Sequence, residues 1–261
     1  MAAAPALRES GSAALPRGLA PKRSEPIAPL SINHGALELL KWFALICMTV
    51  DHVNKYLLGG SEEAMFLVGR LALPIFAVVL GLNLARSEGE ALGSACRRTM
   101  LRLAAAGSLA SVPFMALGGL GWGWWPLNIM FTFFVATAAI FLVGSKGWTV
   151  GAVAVAFVGG AVVEFWWPGV TLCIAAWAYA RKPSIGRLLV IAGACGSLTL
   201  LGWALAHQPL VNSWGFALAA LPLILAVSKL SLKVLRLRLF FYLYYPAHLT
   251  VIWVLAQGFK P

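Results

Sequence analysis

The chain has 261 residues, 61% of them hydrophobic and 11% charged, and its 20 Lys plus Arg against 9 Asp plus Glu leave a net charge of +11. A soluble domain is roughly 45–50% apolar and about 25% charged, and so few charges cannot cover so much apolar surface in water. An ordinary cytosolic enzyme and a disordered chain are therefore excluded. The expectation is an all-α, polytopic transmembrane helix bundle whose positive charge marks loops on one side of a lipid bilayer, with no nucleic-acid partner.

Residues 1–30 are rich in Ala, Pro, Ser and Arg and show no hydrophobic period. They lack the apolar core of a signal peptide and read as a disordered cytoplasmic tail that is not cleaved. Residues 31–261 read as one transmembrane domain. A helix needs about 20 apolar residues to cross a hydrocarbon core of about 30 Å. Runs of that kind fall near 36–58, 64–86, 98–118, 126–144, 148–167, 169–181, 185–206, 210–228 and 239–257. The sixth is short and bracketed by Pro168 and Pro183, so a tilted or half-crossing helix is expected there, its ends covered by protein or water.

The basic residues test this division. With the N-terminus cytoplasmic and the segments alternating, sixteen of the twenty Lys and Arg fall in the tail, the inner loops and their flanks. The outer loops contain GGSEEA, GGLGWGWWP, WWPG and AHQP, rich in Trp and without Lys or Arg. Nine helices, N-terminus inside and C-terminus outside, satisfy the charge bias and the aromatic preference for the interface. No internal duplication is visible, which speaks against a transporter built from paired halves. Gly147 and Gly151 form one small-x-x-x-small spacing, read as weak helix-packing evidence. Cys47, Cys96, Cys173 and Cys195 have no C-x-x-C spacing and read as small packing residues rather than disulfide or metal ligands.

Few ionisable residues remain at membrane depth, and each needs a partner or a water-filled cavity. The first helix, LELLKWFALICMTVDHVNKYLL, carries Lys41, Asp51, His52 and Lys55. Lys41 and His52 are 11 positions apart, close to three turns, so they share a face roughly 16 Å apart along the axis. Asp51 has two open readings, orienting a catalytic group or holding an ion pair with Lys55 or Arg70. Arg70 lies at a similar depth on the second helix, where Pro74 should loosen the backbone one turn later and free a carbonyl. Asn128 opens the fourth helix, either as a ligand for substrate or as a helix-start hydrogen-bonding group. Glu164, in VVEFWWPG, is expected to reach outer water. The last helix, FFYLYYPAHLTVIW, brings Pro246, His248 and a run of tyrosines to its middle. His34 and His207 read as solvated, and four scattered histidines make a metal site a poor expectation.

The stretches LKWFALICMTVDHV, GRLALPIFAVVLG, SVPF (111–114), NIMFTFF (128–134) and YLYYPAHL (242–249) occur in this order. In them the chain resembles the TraX family, within a wider group of transmembrane acyltransferases. The resemblance implies a multi-pass protein of the bacterial inner membrane. It also implies acetyl-CoA as acyl donor and an amine as acceptor, the family's founding acceptor being the N-terminus of a conjugative pilin. Lys41, Asp51, His52, Arg70, Asn128, Tyr245 and His248 fall on matching motif positions. His52, Asp51 and His248 are then the catalytic candidates, and Lys41, Arg70, Asn128 and Tyr245 the substrate-binding ones. Amide formation requires a neutral amine, and a histidine base suits that need near neutrality. His52 is the expected base and His248 the alternate. Arg70 or Asn128 would stabilise the oxyanion, and basic inner segments such as Arg97–Arg98 or Lys229–Arg238 would meet the CoA phosphates. Two other functions remain open: a proton-coupled transporter, with Asp51, Arg70 and Glu164 as a relay, and a noncatalytic scaffold of a conjugation or secretion apparatus.

Overall fold

The computed structural model describes residues 32–118, 120, 122–206, 210–237 and 239–258, with backbone alone for 199–206 and 210–215. The tail 1–30 and His207 lie outside the described residues. Ten helices occur among those described: α1 His34–Leu57, α2 Glu63–Gly69, α3 Ala72–Ala85, α4 Gly89–Leu117, α5 Ile129–Lys146, α6 Thr149–Val162, α7 Trp166–Arg181, α8 Ile185–Ala206, α9 Leu210–Ser228 and α10 Phe240–Gly258. Because α2 and α3 are two halves of one broken helix, the ten described helices correspond to the nine segments that hydropathy predicts. The spans Glu63–Ala85, Gly89–Leu117 and Ile129–Lys146 are long and apolar enough to cross a bilayer by themselves, and Thr149–Val162, Ile185–Leu198 and Phe216–Ser228 are shorter apolar helices. Large apolar side chains stand exposed along α4 (Leu101, Leu109, Val112), α6 (Val150, Val153, Phe157, Val158) and α10 (Val251, Val254). Such a belt suits contact with lipid rather than water.

Connections gather at two ends of the bundle. At the first, Arg86 lies against His34 at 2.7 Å and donates to the Ile32 carbonyl at 2.7 Å. There too Arg181 pairs with Glu88 at 3.0 Å, Arg236 reaches Glu38 at 3.8 Å, and Asn33 donates to the Leu230 carbonyl. Arg97 and Lys146 both lie over the Phe141 ring. This is the basic end. At the opposite end Trp125 stacks on Trp166 with centroids 5.8 Å apart, and Leu127 makes an isolated parallel bridge with Val163. This is the tryptophan end. The loop arginines thus gather at one end of the folded bundle and the Trp122–Trp125–Trp166 cluster at the other.

Three expectations are refined by the structure. The third pass begins at Gly89 rather than 98, because the charged stretch before the apolar run continues the helix toward the basic end. The sixth segment is a continuous 16-residue helix, slightly longer than the apolar run read from the sequence. α7 runs from Trp166, beside Trp125, to Arg181, beside Glu88. Its 16 residues span about 24 Å at 1.5 Å per residue. It can be short because α3, α5, α6 and α8 pack around it, so protein rather than lipid covers its ends. Gly81 of α3 makes that contact close: a Cβ there would stand 2.6 Å from the Trp177 nitrogen. Finally, Gly147 and Gly151 do not form a helix-packing pair. Gly147 closes α5 at φ 67°, and Gly151 lies beneath the Trp148 ring.

The break between α2 and α3 follows from Pro74. Lacking an N–H, Pro74 cannot bond the carbonyl four residues earlier, that of Arg70. The backbone tightens there into i→i+3 bonds, Arg70 N–H to Leu67 O and Leu71 N–H to Val68 O, each 3.1 Å. The helix is interrupted as expected, but by a tightening at the arginine rather than a loosening one turn later.

Candidate functional site

Among the described residues, one cavity lies toward each end of the bundle. The basic-end cavity, about 370 Å³, is lined by Lys41, Asn83, Arg98, Thr99, Arg102 and Arg236 together with apolar and aromatic side chains. The tryptophan-end cavity, about 330 Å³, is lined by Asp51, His52, Lys55, Arg70, Glu164 and Trp166 among others. Met48, Ile129 and Tyr245 line both, so a wall one side chain thick separates them.

The first helix spans this arrangement. Lys41, Leu45, Met48 and His52 follow at i, i+4, i+7 and i+11, which places them on one stripe. Lys41 and Leu45 face the basic-end cavity, Met48 the shared wall, and His52 the tryptophan-end cavity. The shared face expected for Lys41 and His52 is therefore present, but it serves two chambers. Lys41 is held 2.6 Å from the buried Glu38 and lies over the Phe241 ring at 4.7 Å. Glu38 also draws in Arg236, so one carboxylate fixes two cations at the basic mouth.

Asp51 does not take Lys55 as its partner. It accepts a hydrogen bond from Arg70 Nη2 at 2.8 Å. Gly69 lets the two chains come this close, since any Cβ there would run into the Asp51 side chain. Arg70 lies over the Phe66 ring at 4.2 Å and donates to the Phe66 carbonyl at 3.4 Å. Both partners are partly buried, with side-chain exposures of 24% and 19%, and they border the cavity as a neutral pair.

His52 and His248 meet across α1 and α10, with His52 Nδ1 2.7 Å from His248 Nε2 and rings within 3° of parallel. His248 Nδ1 is 3.0 Å from the Tyr244 carbonyl. A carbonyl only accepts, so His248 Nδ1 carries the proton. With both rings neutral, His248 Nε2 accepts from His52 Nδ1–H, and His52 Nε2 is left with its lone pair. The same seam holds a second chain of bonds: Thr49 donates to the Leu45 carbonyl at 2.8 Å and accepts from the Tyr244 hydroxyl at 2.8 Å. Tyr245 packs against both histidine rings and is 1% exposed.

Asn128 has a different fate. It caps α5, accepting from Met130 N–H at 3.1 Å, and its amide nitrogen donates to the Gly107 carbonyl at 2.9 Å and the Ser111 hydroxyl at 3.2 Å. Fully buried and lining neither cavity, it locks α5 to α4 instead of facing a ligand. Glu164 moves the other way. Expected in outer water, it stands in the wall of the tryptophan-end cavity, because α6 stops at Val162 and the chain turns inward to the bridge with Leu127. Met48, Arg98, Arg102 and Arg236 are further lining residues. The i, i+4 spacing of Arg98 and Arg102 puts both on one face of α4, a signal present in the sequence. Arg97, by contrast, turns to Phe141.

A sequence profile described as TraX protein matches residues 36–256. Two curated relatives are each called Protein TraX. One, from Escherichia coli, is 34% identical over 106 residues, 41% of this chain and 39% of the relative. The other, from Escherichia coli strain K12, is 46% identical over 52 residues, 20% of this chain and 21% of the relative. The aligned stretches thus span well under half of each relative. No solved structure matches the chain. The profile covers most of the two-cavity bundle, and the chain belongs to the TraX family.

Proposed function

We propose that this chain is an integral-membrane acyltransferase that moves an acetyl group from acetyl-CoA to an amine. The observation that carries this reading is the shared wall. A cation-lined chamber and a histidine-bearing chamber approach each other across Met48, Ile129 and Tyr245. The basic end faces the cytoplasm of a bacterial inner membrane, following the positive-inside bias. The polyanionic nucleotide of acetyl-CoA lies at Arg98, Arg102, Arg236 and Lys41, and the pantetheine arm runs down the cavity toward Tyr245. Guanidinium groups suit phosphate by charge and by paired donors. The acceptor, an amine such as a pilin N-terminus, enters from the tryptophan end.

In the reaction, His52 Nε2 takes the proton from the attacking amine as the new C–N bond forms. The thioester carbonyl becomes an oxyanion, and the C–S bond then breaks to release the CoA thiolate. The Tyr245 hydroxyl and the Arg70 guanidinium are the donors nearest the wall for that oxyanion. His248 is a positioning residue: it fixes the His52 tautomer through Nε2 and is itself fixed by the Tyr244 carbonyl. Purified protein, labelled acetyl-CoA and a peptide amine test the reading. Transfer by wild type that is lost in His52→Ala supports it, and undiminished transfer by that variant overturns the base assignment.

One observation favours a second reading. Two chambers opening to opposite ends and divided by a thin wall also suit a proton-coupled carrier. That reading predicts substrate accumulation in proteoliposomes without any acyl donor, lost on Asp51→Asn.

A further inference from the structure

Two carboxylates border the tryptophan-end cavity, and they are not equivalent. Asp51 is engaged by Arg70 at 2.8 Å. Glu164 has no cation within ion-pair distance among the described residues, and Lys55 and Arg70 act on it only from farther away. Lys55 instead turns its ammonium over the Tyr56 ring, 4.8 Å from the centroid. Nor is the Glu164 side chain needed to hold its own loop. The backbone does that: Glu164 N–H donates to the Leu127 carbonyl at 2.7 Å, and the Thr132 hydroxyl donates to the Glu164 carbonyl. The rings of Phe165, Trp166, Tyr245 and His52 line the same cavity as Glu164.

A carboxylate without a paired cation, inside an aromatic chamber that also holds a base, is the chemistry that recognises an ammonium group. The ring faces attract the cation and the carboxylate neutralises it. From this geometry we infer that Glu164 binds the acceptor amine as an ammonium and takes its first proton, leaving the neutral amine beside His52, which takes the second as the amide forms. The acceptors are then small or terminal primary amines, reaching the cavity past Trp166, in preference to alcohols of the same shape. This subsite rests on the acyltransfer reading for its purpose but not for its existence.

The test uses the full chain in phospholipid nanodiscs without acetyl-CoA. The probes are glycinamide, which carries an ammonium, and glycolamide, which has a hydroxyl in its place. Binding is read from indole emission and by calorimetry. Glycinamide should bind wild type and Glu164→Asp, bind Glu164→Gln at least tenfold more weakly, and outcompete glycolamide. Equal glycinamide binding by wild type and Glu164→Gln, or no binding by wild type, overturns the subsite. Should Glu164→Gln fail to fold, carbodiimide labelling of native Glu164 decides. Protection by glycinamide but not glycolamide supports the subsite, and the lack of such protection overturns it. A parallel assay with labelled acetyl-CoA separates the two claims. Amine binding that needs Glu164 without any transfer removes the acyltransferase reading alone. Transfer to amines that is indifferent to Glu164→Gln removes the subsite alone.

Discussion

The two cavities are similar in size but opposite in how their charges are arranged. The basic-end cavity is lined by four cations, and the carboxylate that restrains two of them, Glu38, stands behind Lys41 and Arg236 rather than in the lining. The tryptophan-end cavity carries equal numbers of both signs, Arg70 and Lys55 against Asp51 and Glu164, but only Arg70 and Asp51 are paired. An excess of one sign attracts a polyanion and tolerates variation in its exact placement. A balanced set costs less to hold at membrane depth and fixes orientation instead. The two cavities therefore differ in kind: one has the excess charge that suits a polyanion, and the other the mixed charge that suits fixed orientation.

This contrast can be broken from either side. His52→Ala should cause the largest loss, about 10³-fold in single-turnover transfer, with acetyl-CoA affinity unchanged in equilibrium binding. Loss of donor binding in that variant would mean the chambers are not separate. Asp51→Ala should cost about 3 kcal/mol in thermal or denaturant unfolding, because Arg70 would stay partly buried without its partner. The double variant Asp51→Asn with Arg70→Gln should recover part of that loss. A smaller effect is expected at the other cavity. Arg98→Gln with Arg102→Gln should weaken acetyl-CoA about tenfold or more and lessen the dependence of binding on salt, with the amine KM unmoved. Smallest of all, Asn128→Ala should cost about 1 kcal/mol of stability as a lost helix cap. Its turnover per folded molecule should equal wild type, and a large catalytic defect there would return Asn128 to the site.

Much of the fold is legible in the sequence because a bilayer imposes a simple rule. Each crossing must be long, apolar and self-satisfied in its hydrogen bonds, so the nine segments and the two ends can be read directly. The clearest miss falls where protein replaces water as the surroundings: Glu164 turns inward because α6 ends early at the Leu127–Val163 bridge. The site is partly legible for the same reason. Charges at membrane depth are rare, so Asp51, His52, Arg70 and His248 stand out by cost alone. Partner choice is not legible. Asp51 could reach Lys55 within its own helix, yet Gly69 opens a closer approach to Arg70.

By itself, then, the sequence determined the class of molecule, the number of its helical segments, the clustering of basic residues in alternate loops, and a short roster of costly polar groups. These follow from local hydropathy and from charge counted along the chain. Only the tertiary structure decided that the roster divides between two chambers, that His248 orders His52 through a ring-to-ring hydrogen bond, and that Asn128 is spent on a helix cap while Glu164 faces the cavity. Such outcomes depend on which helices pack side by side, and contacts between residues as far apart as His52 and His248 leave no periodic trace in the chain.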